Sequence, residues 1–319
     1  MKLINFQKIN LLFIVLILTG LIAAQNVSAE TFYVCPGCQF TDIQEAIDNA
    51  FDGDTIIVAP GTYTEPLILG KDIVLSGSGP EKTILNVDGN AITCAKGTIC
   101  GKIKNFYIQA TNYGIYCNQN NDITIKNNVI EGCKSGICAR GGIGRMTIIN
   151  NNILGSTDHG INLKTTSGQI HHLQIINNIV ALNSSYAIYN KNGNIHDGVN
   201  NFEIIHNNFS GNTDGRCHNN SGLNSISCDD PSNISENPQF VDRFSGNYCL
   251  QPSSPCVDAG RQGVAYNDPD NSRNDIGAYG GPDAMGCSFG GPVVTEMEVS
   301  PGAVAEGKSV TVRAKGTAR

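Results

Sequence analysis

The chain reads as an all-β solenoid: a right-handed parallel β-helix with an N-terminal capping helix, followed by the start of a β-sandwich-like module. Three observations predict this. A small residue followed by Ile recurs at Ala91-Ile92, Gly114-Ile115, Gly136-Ile137, Gly160-Ile161 and Ala187-Ile188, so successive Ile positions lie 23, 22, 24 and 27 residues apart. The β-branched runs Ile123–Ile125, Met146–Ile149, Leu173–Ile176 and Phe202–Ile205 lead into Asn127-Asn128, Asn151-Asn152, Asn177-Asn178 and Asn207-Asn208. Short apolar pieces separated by turn residues fill each period, about three to a turn. A period in this range marks a stacked repeat, and three short strands per turn is the stoichiometry of a parallel β-helix.

The first element is not part of that fold. Lys2 and Lys8 precede an apolar run from Ile9 to Ala24, and Val27-Ser-Ala29 follows, the three regions of a cleavable secretory signal over residues 1–29. No later segment is apolar enough to span a membrane. Export makes the twelve cysteines disulfide-permissive. Local candidates are Cys35 with Cys38, Cys217 with Cys228, and Cys249 with Cys256. Cys35-Pro-Gly-Cys38 precedes no βαβ pattern and has no second CxxC downstream, so it reads as a staple rather than a redox or zinc motif.

Residues 30–286 form the β-helix with its caps. Thr41-Asp-Ile-Gln44 reads as a capping box, with Ile43, Ala46, Ile47, Ala50 and Phe51 on one helical face up to Gly53. Such a helix is suited to closing the end of a solenoid. Asp54–Val58, Ile68-Leu69, Ile73–Leu75 and Thr83–Leu85 are then strands divided by Gly and Pro turns. Asn suits the corners because it tolerates the left-handed backbone and can pass amide hydrogen bonds from coil to coil.

Aligned on the small-Ile step, the coils can be read in columns, because side chains alternate across a strand. Two residues after the Ile lie Cys94, Cys117, Ala139, Leu163 and Asn190, predicted to point inward with Cys94 and Cys117 on adjacent rungs as a bridge or a buried thiol pair. One residue after it lie Thr93, Tyr116, Cys138, Asn162 and Tyr189, and three after it Ala95, Asn118, Arg140, Lys164 and Lys191, both pointing outward. The three cations would repel one another unless solvent or an anion screens them. Tyr116 and Tyr189 offer apolar ring faces to a sugar. Nearby stand Asp158-His159, with His171-His172 and His196-Asp197 placed in following corners; a His beside an Asp can serve as a general base.

Downstream, Asp268, Asp270, Ser272, Asn274 and Asp275 set oxygen-bearing side chains at the spacing of a calcium loop, without the central Gly and terminal Glu of an EF-hand. Calcium is the one cofactor this chain suggests, and a plain Asx-turn loop is the alternative. Residues 287–319 read as a linker and an incomplete β-sandwich-like segment, since Val293–Val299 and Ser309–Arg313 alternate like strands but are too few to bury a core.

The chain resembles the exported pectin-lyase-like, right-handed parallel β-helix repeat proteins. The residues that carry the resemblance are Phe40-Thr-Asp-Ile-Gln-Glu-Ala-Ile47, Gly53-Asp-Thr-Ile-Ile-Val-Ala-Pro-Gly-Thr-Tyr63, Ser76-Gly-Ser-Gly-Pro-Glu-Lys-Thr83, the Asn-Asn repeats, Ser254–Gly260 and Asn274-Asp-Ile-Gly-Ala-Tyr279. It covers about residues 31 to 285 and implies the architecture, while that superfamily hosts lyases, galacturonases, esterases, epimerases and non-catalytic surface proteins. The paired carboxylates of galacturonase-like members are missing around Asp158-His-Gly160.

Function follows from charge and columns. With 21 Lys+Arg against 28 Asp+Glu, the net charge of −7 argues against nucleic acid or an anionic membrane as partner. The leading expectation is a secreted, cell-surface or periplasmic protein, a monomer or a module of a longer chain. It would bind acidic polysaccharide through Tyr116, Asn118, Arg140, Asn162, Lys164, Tyr189 and Lys191. The alternatives are a pectate-lyase-like lyase or epimerase on uronic-acid polymers, with Lys164 or His159 as proton acceptor and Arg140 neutralising the substrate carboxylate, and a non-catalytic structural or adhesion module.

Overall fold

The computed structural model describes residues 28–119, 122–164, 170–191, 202–219, 226–287, 293–300 and 311–317. The signal segment therefore lies outside the described residues apart from its last two positions. Each coil sends one short strand into each of three parallel sheets, which have eight, six and seven strands among the described residues. The chain visits the eight-stranded, six-stranded and seven-stranded sheets in that order, and every inter-coil pairing within them is parallel, in the register expected of a stacked solenoid. Described residues contain no helix long and apolar enough to cross a membrane.

The small residue before each Ile is fixed by packing. A Cβ atom on Gly114, Gly136 or Gly160 would come within 2.6, 2.4 and 2.4 Å of Ile130, Ile153 and Val180 side chains. That residue and the following Ile both face the core, so the chain bends there before the strand resumes its alternation. Ile92, Ile115, Ile137, Ile161 and Ile188 form one column of a continuous apolar core, all fully buried. The next inward column is the predicted one, with Cys94 opposite Cys117, Cys117 opposite Ala139, Ala139 opposite Leu163 and Leu163 opposite Asn190. Cys94 and Cys117 are a buried thiol pair, not a bridge. Hydrogen bonds with the Cys100 and Cys117 thiols, and then burial, hold the Cys94 thiol well above its ordinary range.

The Asn corners are more ordered than the repeat suggests. One column, Asn105, Asn127, Asn150, Asn177 and His206, takes the left-handed conformation, with φ of 64°, 53°, 51°, 58° and 54°. The column after it is a ladder, Asn128–Asn151–Asn178–Asn207–Asn233, in which each Nδ2 donates to the next Oδ1 at 3.0–3.1 Å. The same Oδ1 atoms accept the backbone N–H of the preceding rung at 2.9–3.0 Å. Two of the four expected pairings are thus one residue late: the corner pairs are Asn150-Asn151 and His206-Asn207, and Asn152 opens the next strand. The left-handed residue must directly follow the last residue of the preceding strand, and in Ile149-Asn-Asn-Asn152 only Asn150 does.

The ends are closed by side chains that imitate backbone. Helix α1, Ile43–Asn49, is capped by Asp42, one residue after the expected Thr41, because the Asp42 carboxylate accepts Glu45 N–H at 2.8 Å. Its end comes at Ala50 rather than Gly53. Gln44 pairs with Ile68 N–H and C=O at 2.8 and 3.2 Å, covering the edge strand Leu67–Leu69, and the Lys71 ammonium donates to the carbonyls of Ile47, Asp48 and Ala50 at the helix C-terminus.

After the last coil the chain turns back along the corners. Arg261 N–H donates to Asn177 Oδ1 at 2.8 Å, Asn150 Nδ2 to Asp275 C=O at 2.9 Å, and Asn127 Nδ2 to Ala278 and Gly280 C=O at 2.9 and 2.8 Å. Ion pairs Lys126–Asp283 and Arg261–Glu203 hold the same strap. Disulfides join Cys35–Cys38 and Cys217–Cys228 as expected, but Cys249 bonds Cys287 rather than Cys256. Cys256 lies buried under the strap, where it accepts a hydrogen bond from Asn208 Nδ2, while Cys287 fastens the strap's far end. Val293–Ser300 and Thr311–Thr317 pair as an antiparallel hairpin.

Replacing Asn151 by Ala would leave Ile125 and Ile149 carbonyls, Asn128 N–H and the Asn178 amide short of partners in a buried site. The expected loss is about 3–5 kcal/mol of unfolding free energy, read from a denaturant midpoint at unchanged slope.

Candidate functional site

The seven-stranded sheet presents its outward residues in the predicted columns. Tyr116 is in register with Cys138, Cys138 with Asn162, Asn162 with Tyr189 and Tyr189 with His218. Beside them Asn118 is opposite Arg140 and Arg140 opposite Lys164, while Lys191 continues the line just past the strand end, its N–H on Leu163 C=O at 3.3 Å. Arg140 is exposed and Lys164 half-buried. Adjacent rungs stand about 4.8 Å apart, so two cationic side chains running parallel from them are close enough to repel.

The bend at the small-Ile step turns a third column outward, two residues before the Ile: Tyr113, Ser135, His159 and Tyr186. This column completes two ring clusters. Tyr113 stacks on Tyr116 with centroids 5.5 Å apart and planes 16° from parallel. Across the sheet, Tyr189 is sandwiched between His159 at 4.1 Å and 6° and His218 at 5.1 Å and 7°, and Tyr186 packs on His218 at 4.8 Å. Tyr113, Tyr186 and His218 were not among the residues expected from sequence. The signal for the two tyrosines was there, since Tyr113-Gly-Ile-Tyr116 and Tyr186-Ala-Ile-Tyr189 frame the small-Ile step identically.

Between the two ring clusters the outward residues are short: Ser135, Cys138 and Asn162. All three are buried, at 0, 1 and 1% exposure, and the Tyr113 hydroxyl is hydrogen-bonded to Cys138, so the face has aromatic ends, a closed centre and Arg140 and Lys164 along one side. Hydrogen bonding to Tyr116 raises the Arg140 guanidinium further above its ordinary value. Burial pushes the Cys138 thiol up to about 12, so it is neutral at ordinary pH.

His159 is placed as a structural group rather than a free base. Its Nδ1 accepts Tyr186 N–H at 3.4 Å, which leaves Nε2 to carry the proton and donate to Asp158 Oδ1 at 3.1 Å. Burial, outweighing the Asp158 charge, lowers its pKa below the ordinary value. His171 and His172 stand on the eight-stranded sheet, with His172 opposite Arg145, and so do not share this face. His196-Asp197 lies outside the described residues.

The acidic loop is turned on its own backbone. Asp268 accepts the N–H groups of Asp275 and Gly281, Asp270 accepts the N–H and hydroxyl of Ser272, Asp275 accepts Asp258 N–H, and Asn274 is buried against Asn150 and Tyr266. Among the described residues no group of three or more His, Cys, Asp or Glu side chains is arranged to hold a metal ion. Burial, then the charges of Asp268, Asp258 and Asp270, push the Asp275 carboxyl up to about 6.

The architecture defines the class: a pectin-lyase-like parallel β-helix protein. Residues 47–252, well over half of the chain, match the family model described as periplasmic copper-binding protein (NosD), and the chain belongs to that family. It is 35% identical over 134 residues to a cell surface glycoprotein of Methanothermus fervidus, an alignment covering 40% of this chain and 21% of that protein. The chain thus spans about a fifth of that relative's length. Among solved structures it is similar to pectate lyase Pel9A, at 14% identity and a TM-score of 0.31, covering 80% of this chain and 97% of that one.

Two pH effects follow, of opposite sign. His159 has a lowered folded pKa, so its contribution to stability is full above the ordinary 6.5 and is lost as pH falls below it. The His159→Gln variant should lose less stability than wild type between pH 6.5 and 5 in thermal melts. Asp275 has a raised pKa, so its contribution is full below 3.8 and lost as pH rises through about 6. Asp275→Asn, which keeps the acceptor for Asp258 N–H, should gain about 1–2 kcal/mol at pH 7.5, after discounting for solvent screening, and nothing at pH 3.5.

Proposed function

We propose that this protein binds acidic polysaccharide outside the cell or in the periplasm, with the outer surface of the seven-stranded sheet as the binding face. The observation that carries the reading is the juxtaposition of Arg140 and Lys164 on adjacent rungs between two outward ring clusters. Cations at this spacing repel until an anion lies across them; both faces of Tyr189 are taken by His159 and His218, so the stacking of a sugar ring falls to the Tyr113–Tyr116 pair. A polymer with carboxylates and ring faces meets both demands at once. The disulfides suit an oxidising compartment. The family description, periplasmic, and the relative's name, cell surface glycoprotein, support the same location.

Two other readings fit less well. Proton abstraction next to a uronate carboxylate needs a base with a lone pair; both His159 nitrogens are engaged, so that role would fall to Lys164. The family description also names copper, which favours thiolate or imidazole donors. The described side chains do not suit it: the Cys94, Cys100 and Cys117 sulfurs are buried in the core, the Cys94 thiol is held well above its ordinary range, and His159 and His218 stand on opposite faces of Tyr189.

Polygalacturonate titrated into the protein at low salt should bind, and Lys164→Ala should weaken that binding about fivefold, with the affinity falling as salt rises. Failure of the wild type to bind any acidic polymer defeats the reading. Release of ultraviolet-absorbing unsaturated products would move it to the lyase class.

A further inference from the structure

We infer that a second binding site, for a neutral glycan, lies at the corner between the six- and seven-stranded sheets, where Leu182, Val241 and Phe244 face solvent around an open cavity. The cavity holds about 820 Å³, within the range of small-ligand sites, and shares no residue with the face that carries Arg140 and Lys164. Two observations set it apart from ordinary surface. The first is strain. At this corner four successive coils place a left-handed residue, Gly132, Gly155, Leu182 and Gly211, with φ of 68°, 58°, 60° and 66°. A bulky side chain is disfavoured there, and burial offsets the cost only in part, because Leu182 remains 43% exposed.

The second observation is that the exposed ring is held still. Phe244 is 96% exposed, yet its turn, Arg243–Ser245, is fastened on both sides. Asp242 accepts the N–H and the hydroxyl of Ser245 at 3.2 and 2.7 Å, and the Arg243 guanidinium meets Glu131 Oε1 at 2.8 and 2.7 Å. An apolar ring fixed in water gives up little freedom when a ligand lies on it. With Val241, which is 49% exposed, these side chains form an apolar patch of the kind that marks a binding groove.

The polar rim indicates the ligand. Asn237 Oδ1 accepts Gln239 N–H at 2.9 Å, Gln239 Oε1 accepts the Ser253 hydroxyl at 2.7 Å, and Gln251 Nε2 donates to Phe240 C=O at 3.1 Å. Each amide is thus tied at one end, and the other ends offer two donors and an acceptor to hydroxyl groups. Among the described residues the one cation lining the cavity, Arg243, is already paired, and the exposed Asp242 carboxylate repels a polyanion. An acyl chain would cover the amides without pairing them. A neutral pyranose meets every group, with its C–H face on Phe244 and its hydroxyls on the amides.

The test titrates maltohexaose, cellohexaose, mannohexaose and chitohexaose into the full chain by calorimetry at low and high salt. At least one should bind, with an affinity that neither salt nor Lys164→Ala alters. Phe244→Ala, at a position exposed enough to leave the fold intact, should weaken that binding about tenfold, and Phe244→Trp should retain it. Polygalacturonate binding should be the same in Phe244→Ala as in the wild type, so that this site and the acidic-polysaccharide face fail separately. Binding of none of the four sugars, or binding that survives Phe244→Ala, overturns the inference. Self-association of the wild type that Phe244→Ala abolishes, without sugar binding, also overturns it and assigns the patch to a second copy of the chain.

Discussion

The side-chain ladder Asn128–Asn151–Asn178–Asn207–Asn233 is the interaction on which this molecule depends. A solenoid coil cannot bury its apolar face alone, and its corners expose backbone groups wherever the sheets break. Each ladder amide answers both problems. Its nitrogen serves carbonyls of its own coil and the preceding one, while its oxygen takes the N–H and side-chain amide of the rung before. The corner is thereby sealed in a buried place where unsatisfied groups would be costly, and each coil is locked in register to the next. The left-handed column beside it lends its amides to the returning strap, which crosses several coils and fastens them again.

Register has consequences on another sheet. Because the corners allow no slip, the residues following each small-Ile step stack into straight columns on the seven-stranded sheet. Two Tyr-small-Ile-Tyr segments on non-adjacent coils become two ring clusters, and the short residues between them are buried. A slip of one residue would turn the cations inward and the Ile column outward. The recognition face is therefore a product of the same constraint that makes the fold.

Much of this was legible in the sequence. The period gave the sheets, and the columns gave the Cys94–Cys117 thiol pair, the facing of Arg140 and Lys164, and the buried Asn190. What escaped has physical reasons. Ile149-Asn-Asn-Asn152 contains three asparagines, and only the backbone decides which one bends. The Cys249–Cys287 bridge joins residues brought together by the strap, a contact local spacing cannot reveal. The column of Tyr113, Ser135, His159 and Tyr186 depends on both the small residue and the Ile facing inward, which strict alternation does not anticipate.

The central claim, that the ladder makes the coils one cooperative unit, is most directly tested by native-state hydrogen exchange of the backbone N–H groups of Asn128, Asn151, Asn178 and Asn207. All four should exchange only through global unfolding, with one shared free energy and the same denaturant dependence. Exchange that is faster at these corners than in the flanking strands, or that opens coil by coil from either end with distinct free energies, would contradict it.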